Sequence, residues 1–147
     1  MNIGELCNRN VVVAQPSDSI LTAAQLMKRY DVGTVVIAEK LEKGLSPVGI
    51  LTDRDLVVEL LADNIDPSSV TVGDVMSRSL YTATEEEDSF DVLKKMRADS
   101  VRRIPVVNNE NILQGIVTLD DFIEFLSEEQ LDVAAIINKQ TKEHSPL

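Results

Sequence analysis

The sequence predicts an α/β (α+β) fold: two β-α-β-β-α repeats packed about a pseudo-twofold axis, followed by a C-terminal helix. Three observations carry this. The chain matches itself at an offset of 69, with "IGELCNRNVVVA" (Ile3 to Ala14) falling on "VGDVMSRSLYTA" (Val72 to Ala83). Each copy alternates short apolar runs with one-faced helical periodicity. Each copy also ends on one pattern, "GILTDRDL" (Gly49 to Leu56) and "GIVTLDDF" (Gly115 to Phe122), here at an offset of 66.

The elements follow in order. "VVVA" and "LYTA" are short apolar strands. Polar punctuation, "QPSDS" and "TEEEDS", then leads into helices. Ile20, Ala23, Ala24 and Met27 share one face of the first helix; Phe90, Leu93 and Met96 share one of the second. Asp18 or Ser19, and Asp88 or Ser89, are the N-caps expected there. "GTVVIA" and "RRIPVVN" are middle strands, and "PVGIL" and "LQGIV" are last strands. The offset change implies a loop three residues longer after the first middle strand, in "EKLEKGLSPV". "DRDLVVELLA" and "LDDFIEFLS" are closing helices. Repeat 1 spans 1–62, a linker 63–71, repeat 2 72–126, and a C-terminal helix and frayed tail 127–147. That last helix is expected to start at a capping box of Ser127 and Gln130, with Leu131, Ala134, Ala135 and Ile137 apolar.

At 147 residues the chain suits one domain or two small packed halves. Only 3% is aromatic and Trp is absent, so the core must be aliphatic. A net charge of −11 repels nucleic-acid phosphates and anionic membranes. No apolar run approaches the ~20 residues of a membrane span, and the N-terminus lacks a signal-peptide pattern. A cytoplasmic protein is expected. One Cys and one His, Cys7 and His144, exclude the usual zinc ligand sets and an internal disulfide. No nucleophile is matched with a general base, so an enzyme is not expected.

Thr-x-x-Asp has an ordinary meaning: Thr52 with Asp55, and Thr118 with Asp121, form capping boxes at helix starts. Its recurrence at matched positions, each after a buried strand, points further. A helix N-terminus favours an anion. An ionised Asp only accepts, which suits the vicinal hydroxyls of a ribose.

A duplicated β-α-β-β-α unit ending in G-[IV]-[LV]-T-x-x-[DN] resembles a pair of CBS domains, a Bateman module. The likeness runs from about residue 3 to 126, and "VGDVMSR", "VLKKM" and "VRRIPVVN" add to it. The resemblance implies a regulatory module with two clefts between the copies. These take adenosine-containing ligands such as AMP, ADP or ATP, with S-adenosylmethionine or NAD also possible, without chemistry on them. It also implies a homodimer, often a flat disc, and an unidentified protein partner.

Carried over by position, the preferred cleft takes Ile116, Thr118, Asp120 and Asp121 from repeat 2, with Arg102 and Arg103 for phosphate. From repeat 1 it takes Ala14, Ile20, Val32, Gly33 and Thr34. The second cleft takes Ile50, Thr52, Arg54 and Asp55, with Ala83, Ser89, Val101 and Arg102. That cleft has Thr34 where the other has an Arg pair, so it is the one expected to be empty or differently filled. Adjacent strand residues point to opposite faces, so only one of Arg102 and Arg103 enters a given cleft, and Arg103 is favoured. Asp120 brings an unhelpful negative charge near any phosphate.

Other features read as structure. "EEED" (Glu85 to Asp88) is a solvated helix start, Tyr30 and Tyr81 are packing residues, and Cys7 is a buried inert thiol matching Met76. "KKMRADSVRR" holds five of the fourteen basic residues, a local reversal of sign. Two readings stand: an adenine-nucleotide sensor acting through a dimer or partner, or a dimerisation and interaction module with vestigial clefts.

Overall fold

The computed structural model of the chain describes residues 1–78 and 80–143. His144 and the rest of the expected tail lie outside the described residues. Each repeat folds as a three-stranded sheet carrying helices. The first half contains α1 (Ile3–Leu6), β1 (Val13–Ala14), α2 (Ile20–Tyr30), β2 (Thr34–Leu41), β3 (Gly44–Thr52) and α3 (Asp53–Asp55). The second contains α4 (Val72–Val75), β4 (Ala83–Thr84), α5 (Ser89–Asp99), β5 (Arg103–Val107), β6 (Leu113–Thr118) and α6 (Leu119–Glu143). Both sheets run edge to edge in sequence order, the first pair parallel and the second antiparallel.

The caps fall where short polar side chains meet the apolar pattern. The Ser19 side chain accepts from Thr22 N–H at the head of α2, and Asp88 accepts from Phe90 N–H at the head of α5. Both helices stop at a left-handed residue, Asp31 and Ser100.

Each repeat places its first segment in the other's core. Ile3 packs with Ala83, Val92, Met96, Ile104, Val106, Val117 and Phe122. Val72 and Met76 pack with Ala14, Ile20, Ala23, Val35, Ile37 and Leu51. Backbone bonds fix the crossing: Asn8 and Ile116 exchange two of 2.9 Å, and Ile50 and Ser77 exchange two of 3.2 and 2.9 Å. The repeated Gly before each Ile explains itself here. A Cβ on Gly115 would lie 2.8 Å from the Asn8 carbonyl oxygen, and one on Gly49 2.8 Å from that of Ser77. Neither gap admits a side chain.

Four elements differ from the sequence expectation. The three extra residues form no loop: β2 and β3 extend as a ladder to Leu41 and Gly44, closed by the two-residue turn Glu42–Lys43. The hairpin tip then meets the other repeat, with Lys43 paired to Glu110 at 2.8 Å and Asn111 bonded to Ser46 at 3.0 Å. "DRDLVVELLA" is helical but passes from α3 into a π-helical stretch, Leu56–Leu61. No separate helix begins at Ser127, because α6 is continuous. The Ser127 hydroxyl donates to the Ile123 carbonyl one turn back (2.8 Å), so it caps nothing. Finally, α1 and α4 are one-turn helices under their own capping boxes, Asn2 with Glu5 and Thr71 with Asp74.

Candidate functional site

The crossing segment Asn8–Val12 bridges the two sheets and floors a cleft between the repeats. The cleft encloses about 300 Å³. Repeat 2 contributes Ile116 and Thr118 from β6, Asp120 and Asp121 from α6, and Arg103 from β5. Repeat 1 contributes Val32, Gly33 and Thr34 at the start of β2, with Val36 further along. Asn8, Asn10, Val11 and Val12 complete the wall.

Strand register explains the placement of Arg103. It pairs directly with Thr118 across β5 and β6, and opposed residues project from the same face. Arg102 is one step out of phase. It lines a small notch of about 70 Å³ beside Arg103, Thr118 and Asp120, and a separate open groove with Phe90, Leu93, Lys94 and Arg97.

Thr118 and Asp121 form a complete capping box. The Thr118 N–H donates to Asp121 Oδ2 at 2.8 Å, and the Asp121 N–H donates to Thr118 Oγ1 at 3.3 Å. The Thr118 hydroxyl also donates to Asp121 Oδ2, at 3.1 Å. The hydroxyl is thereby held within the box. Oδ1 of Asp121 takes no part in these bonds. Thr52 and Asp55 repeat the arrangement, with backbone bonds of 2.8 and 3.1 Å.

A wider groove of about 750 Å³ shares Asn8, Asn10, Val11, Val12 and Val32 with the cleft. It adds Val13, Leu26, Tyr30 and Leu45, so its walls are mainly apolar. Tyr30 is not core packing: it is half exposed along this groove, and the Arg29 guanidinium lies 5.4 Å from its ring centre. Tyr81 is also half exposed, and its hydrogen bond to Asp99 raises its pKa.

Four residues assigned to clefts lie in the cores. Ala14 and Ile20 belong to the first hydrophobic cluster and Ala83 to the second. Ser89 is buried, its hydroxyl without a partner among the described residues. A strand two residues long turns its small side chain inward, and the first residue of an amphipathic helix faces the sheet beneath it. Ile50, Thr52, Arg54 and Asp55 stay together at the end of β3 and the start of α3. Val101, however, joins Arg102 in the groove on α5. The residues missed by sequence reasoning are Asn8, Asn10, Val11, Val12 and Val36. The offset-69 match contained the first four, and the signal lay in treating that repeated segment as a wall as well as a strand.

Neighbouring charges are tied down. Arg9 donates to Glu85 (2.9 Å), Gly4 O (2.9 Å) and Gln114 O (3.3 Å), holding the first segment on repeat 2. The Glu85 contact raises the Arg9 pKa. Within the acidic run, Asp88 caps α5 and Glu87 pairs with Lys95. Cys7 is half buried beside the second core, where desolvation raises its thiol pKa. No group of three or more His, Cys, Asp or Glu suited to a metal occurs among the described residues, and no described helix is long and apolar enough to cross a membrane.

Comparison with known proteins supplies a context for this geometry. The family profile described as CBS domain matches residues 3–62 and 72–128. The chain is 31% identical over 124 residues to an uncharacterized protein of Methanopyrus kandleri, covering 84% of this chain but only 62% of that protein. It is 32% identical over 127 residues to hypoxic response protein 1 of Mycobacterium tuberculosis, covering 84% of each. The CBS domain pair of protein MJ0100, solved with 5'-methylthioadenosine and S-adenosyl-L-methionine, superposes with a TM-score of 0.75 at 26% identity, covering 88% of this chain and 98% of that one.

Proposed function

The chain belongs to the CBS domain family, and on that premise we propose that it is a regulatory module binding an adenine nucleotide in the cleft between its repeats. The observation that carries this is the convergence of Thr118, Asp121 and Arg103 from repeat 2 with Val32–Thr34 from repeat 1 on one cavity.

Roles follow from chemistry. Val11, Val12, Val32 and Ile116 offer apolar surface to the base. Asp121 Oδ1 accepts from ribose hydroxyls while Oδ2 keeps the helix capped. Arg103 holds the phosphate, with geometry suited to a bidentate contact. Asp120 and Asp121 against one Arg favour a short phosphate chain, so AMP ranks above ADP and ATP. S-adenosylmethionine, present with 5'-methylthioadenosine in the MJ0100 pair, carries no phosphate and needs Arg103 least. NAD ranks last, for its length and pyrophosphate. The ligand is held without chemistry. It touches both repeats, so binding stabilises their relative placement, and a dimer or protein partner reads the change.

Isothermal titration with AMP, ATP, NAD and S-adenosylmethionine tests this. Micromolar binding of AMP, weakened in Arg103→Ala, supports it. Silence from all four, with no thermal shift at millimolar ligand, selects the interaction module with vestigial clefts. At 100 times the dissociation constant a true ligand adds about 2.7 kcal/mol.

A further inference from the structure

From Leu126 to Gln140 every residue of α6 is exposed, so among the described residues no other element covers these four turns. They are nonetheless not uniformly polar. Ile123, Leu126, Val133, Ile136 and Ile137 are each between 45% and 60% exposed. Ile123, Leu126, Gln130, Val133, Ile137 and Gln140 follow one another at intervals of 3, 4, 3, 4 and 3 residues. That is the spacing of a two-helix coiled-coil seam, aliphatic at four positions and polar at Gln130 and Gln140. Unsupported helices of this length are marginal in water, and an apolar stripe requires a facing surface.

We infer that the α6 extension is a self-association strut, pairing antiparallel with α6 of a second copy. The seam is its own mate under a twofold axis between Leu131 and Asp132. Reversal sets Leu126 against Ile137, Gln130 against Val133, and Ile123 against Gln140. Charge selects the direction. Residues 120–132 carry six acids and no base, whereas Lys139 lies in the later turns. A parallel pair would align the two acidic halves in a chain already at −11. The antiparallel pair sets Glu124 level with Lys139, and Glu128, Glu129 and Asp132 level with Ala135, Ala134 and Leu131. This assigns a surface to the self-association invoked above, and it holds with or without nucleotide.

The test therefore uses the full chain without nucleotide. Light scattering behind size exclusion should give twice the 16.2 kDa chain mass. Val133→Glu with Ile137→Glu, at exposed positions, should give a monomer with an unchanged melting profile of the repeats. Orientation is read in a Cys7→Ser background: copies bearing Leu126→Cys mixed with copies bearing Ile137→Cys should cross-link under mild oxidation, and neither alone should. A monomeric full chain, a dimer surviving the double Glu substitution, or like-with-like cross-links would overturn the inference. Nucleotide titration stays independent of all three.

Discussion

Arg103 and Thr118 are directly opposed across β5 and β6, so the cation and the capping box face the same cleft. The equivalent pair in repeat 1 is Thr34 with Thr52, and it brings no charge. One register thus makes the surroundings of the two Thr-x-x-Asp boxes unequal. Arg103→Ala should weaken AMP binding by about 10- to 100-fold, the range for a charge-assisted hydrogen bond of about 1.5–3 kcal/mol. Adenosine, lacking the phosphate, should bind both forms alike. Titration of the two ligands against the two proteins checks it, and an equal loss for adenosine would place Arg103 elsewhere in the mechanism.

Asp120 lines the same cleft and the notch beside Arg103. It lies near the expected path of any phosphate chain. Two unit charges a few ångströms apart near a surface interact by about 1 kcal/mol or more. Asp120→Asn should therefore tighten ATP at least about fivefold and AMP less, narrowing the gap between them. Competition titrations at two salt concentrations would show it, with the difference shrinking as salt rises.

Gly115→Ala tests the crossing of the repeats. Its Cβ would meet Cys7 Sγ at 2.7 Å and Asn8 O at 2.8 Å. The second contact is backbone and part of a two-bond bridge, so the segment that floors the cleft must move. Overpacking of this kind costs about 1–3 kcal/mol. Urea denaturation should show that loss, together with weakened nucleotide binding.

Burial raises the Cys7 thiol pKa, which sets a sign for pH dependence. The folded state disfavours the thiolate, so its contribution to stability is present in full below the unfolded-state pKa. That contribution is lost as pH rises through the higher folded value. Alkylation of native Cys7 at pH 8 should be slower than that of a free thiol, and Cys7→Ser should flatten the alkaline limb of the stability curve.

Much of this was legible because it is periodic. The β-α-β-β-α order, the caps at Ser19 and Asp88 and the paired Thr-x-x-Asp boxes all follow from local pattern. What escaped depends on non-local packing. Ala14, Ile20, Ala83 and Ser89 carry no sign of which way a two-residue strand or a first helical turn faces, and they went to the cores. Asn8 to Val12 became a cleft wall because the first segments cross between repeats. Ser127 had the composition of a cap, but the continuous apolar face of α6 carried the helix past it.

The two boxes supply the test that separates capping from recognition. Asp55 and Asp121 make the same backbone bond to their threonines, 2.8 Å in each case. As caps they are equivalent, and Asp→Ala at either should cost about 1 kcal/mol of stability. As ligand groups they differ, because the Asp121 box faces Arg103 and the Asp55 box faces Thr34. Asp121→Ala should therefore abolish measurable AMP binding at a stability cost similar to that of Asp55→Ala, which should leave most of the affinity intact. Paired thermal melts and titrations read the two effects separately. Equal losses of binding in both variants would mean that the aspartates act only through the helices they cap, and the ribose contact assigned to Asp121 would then have to be withdrawn.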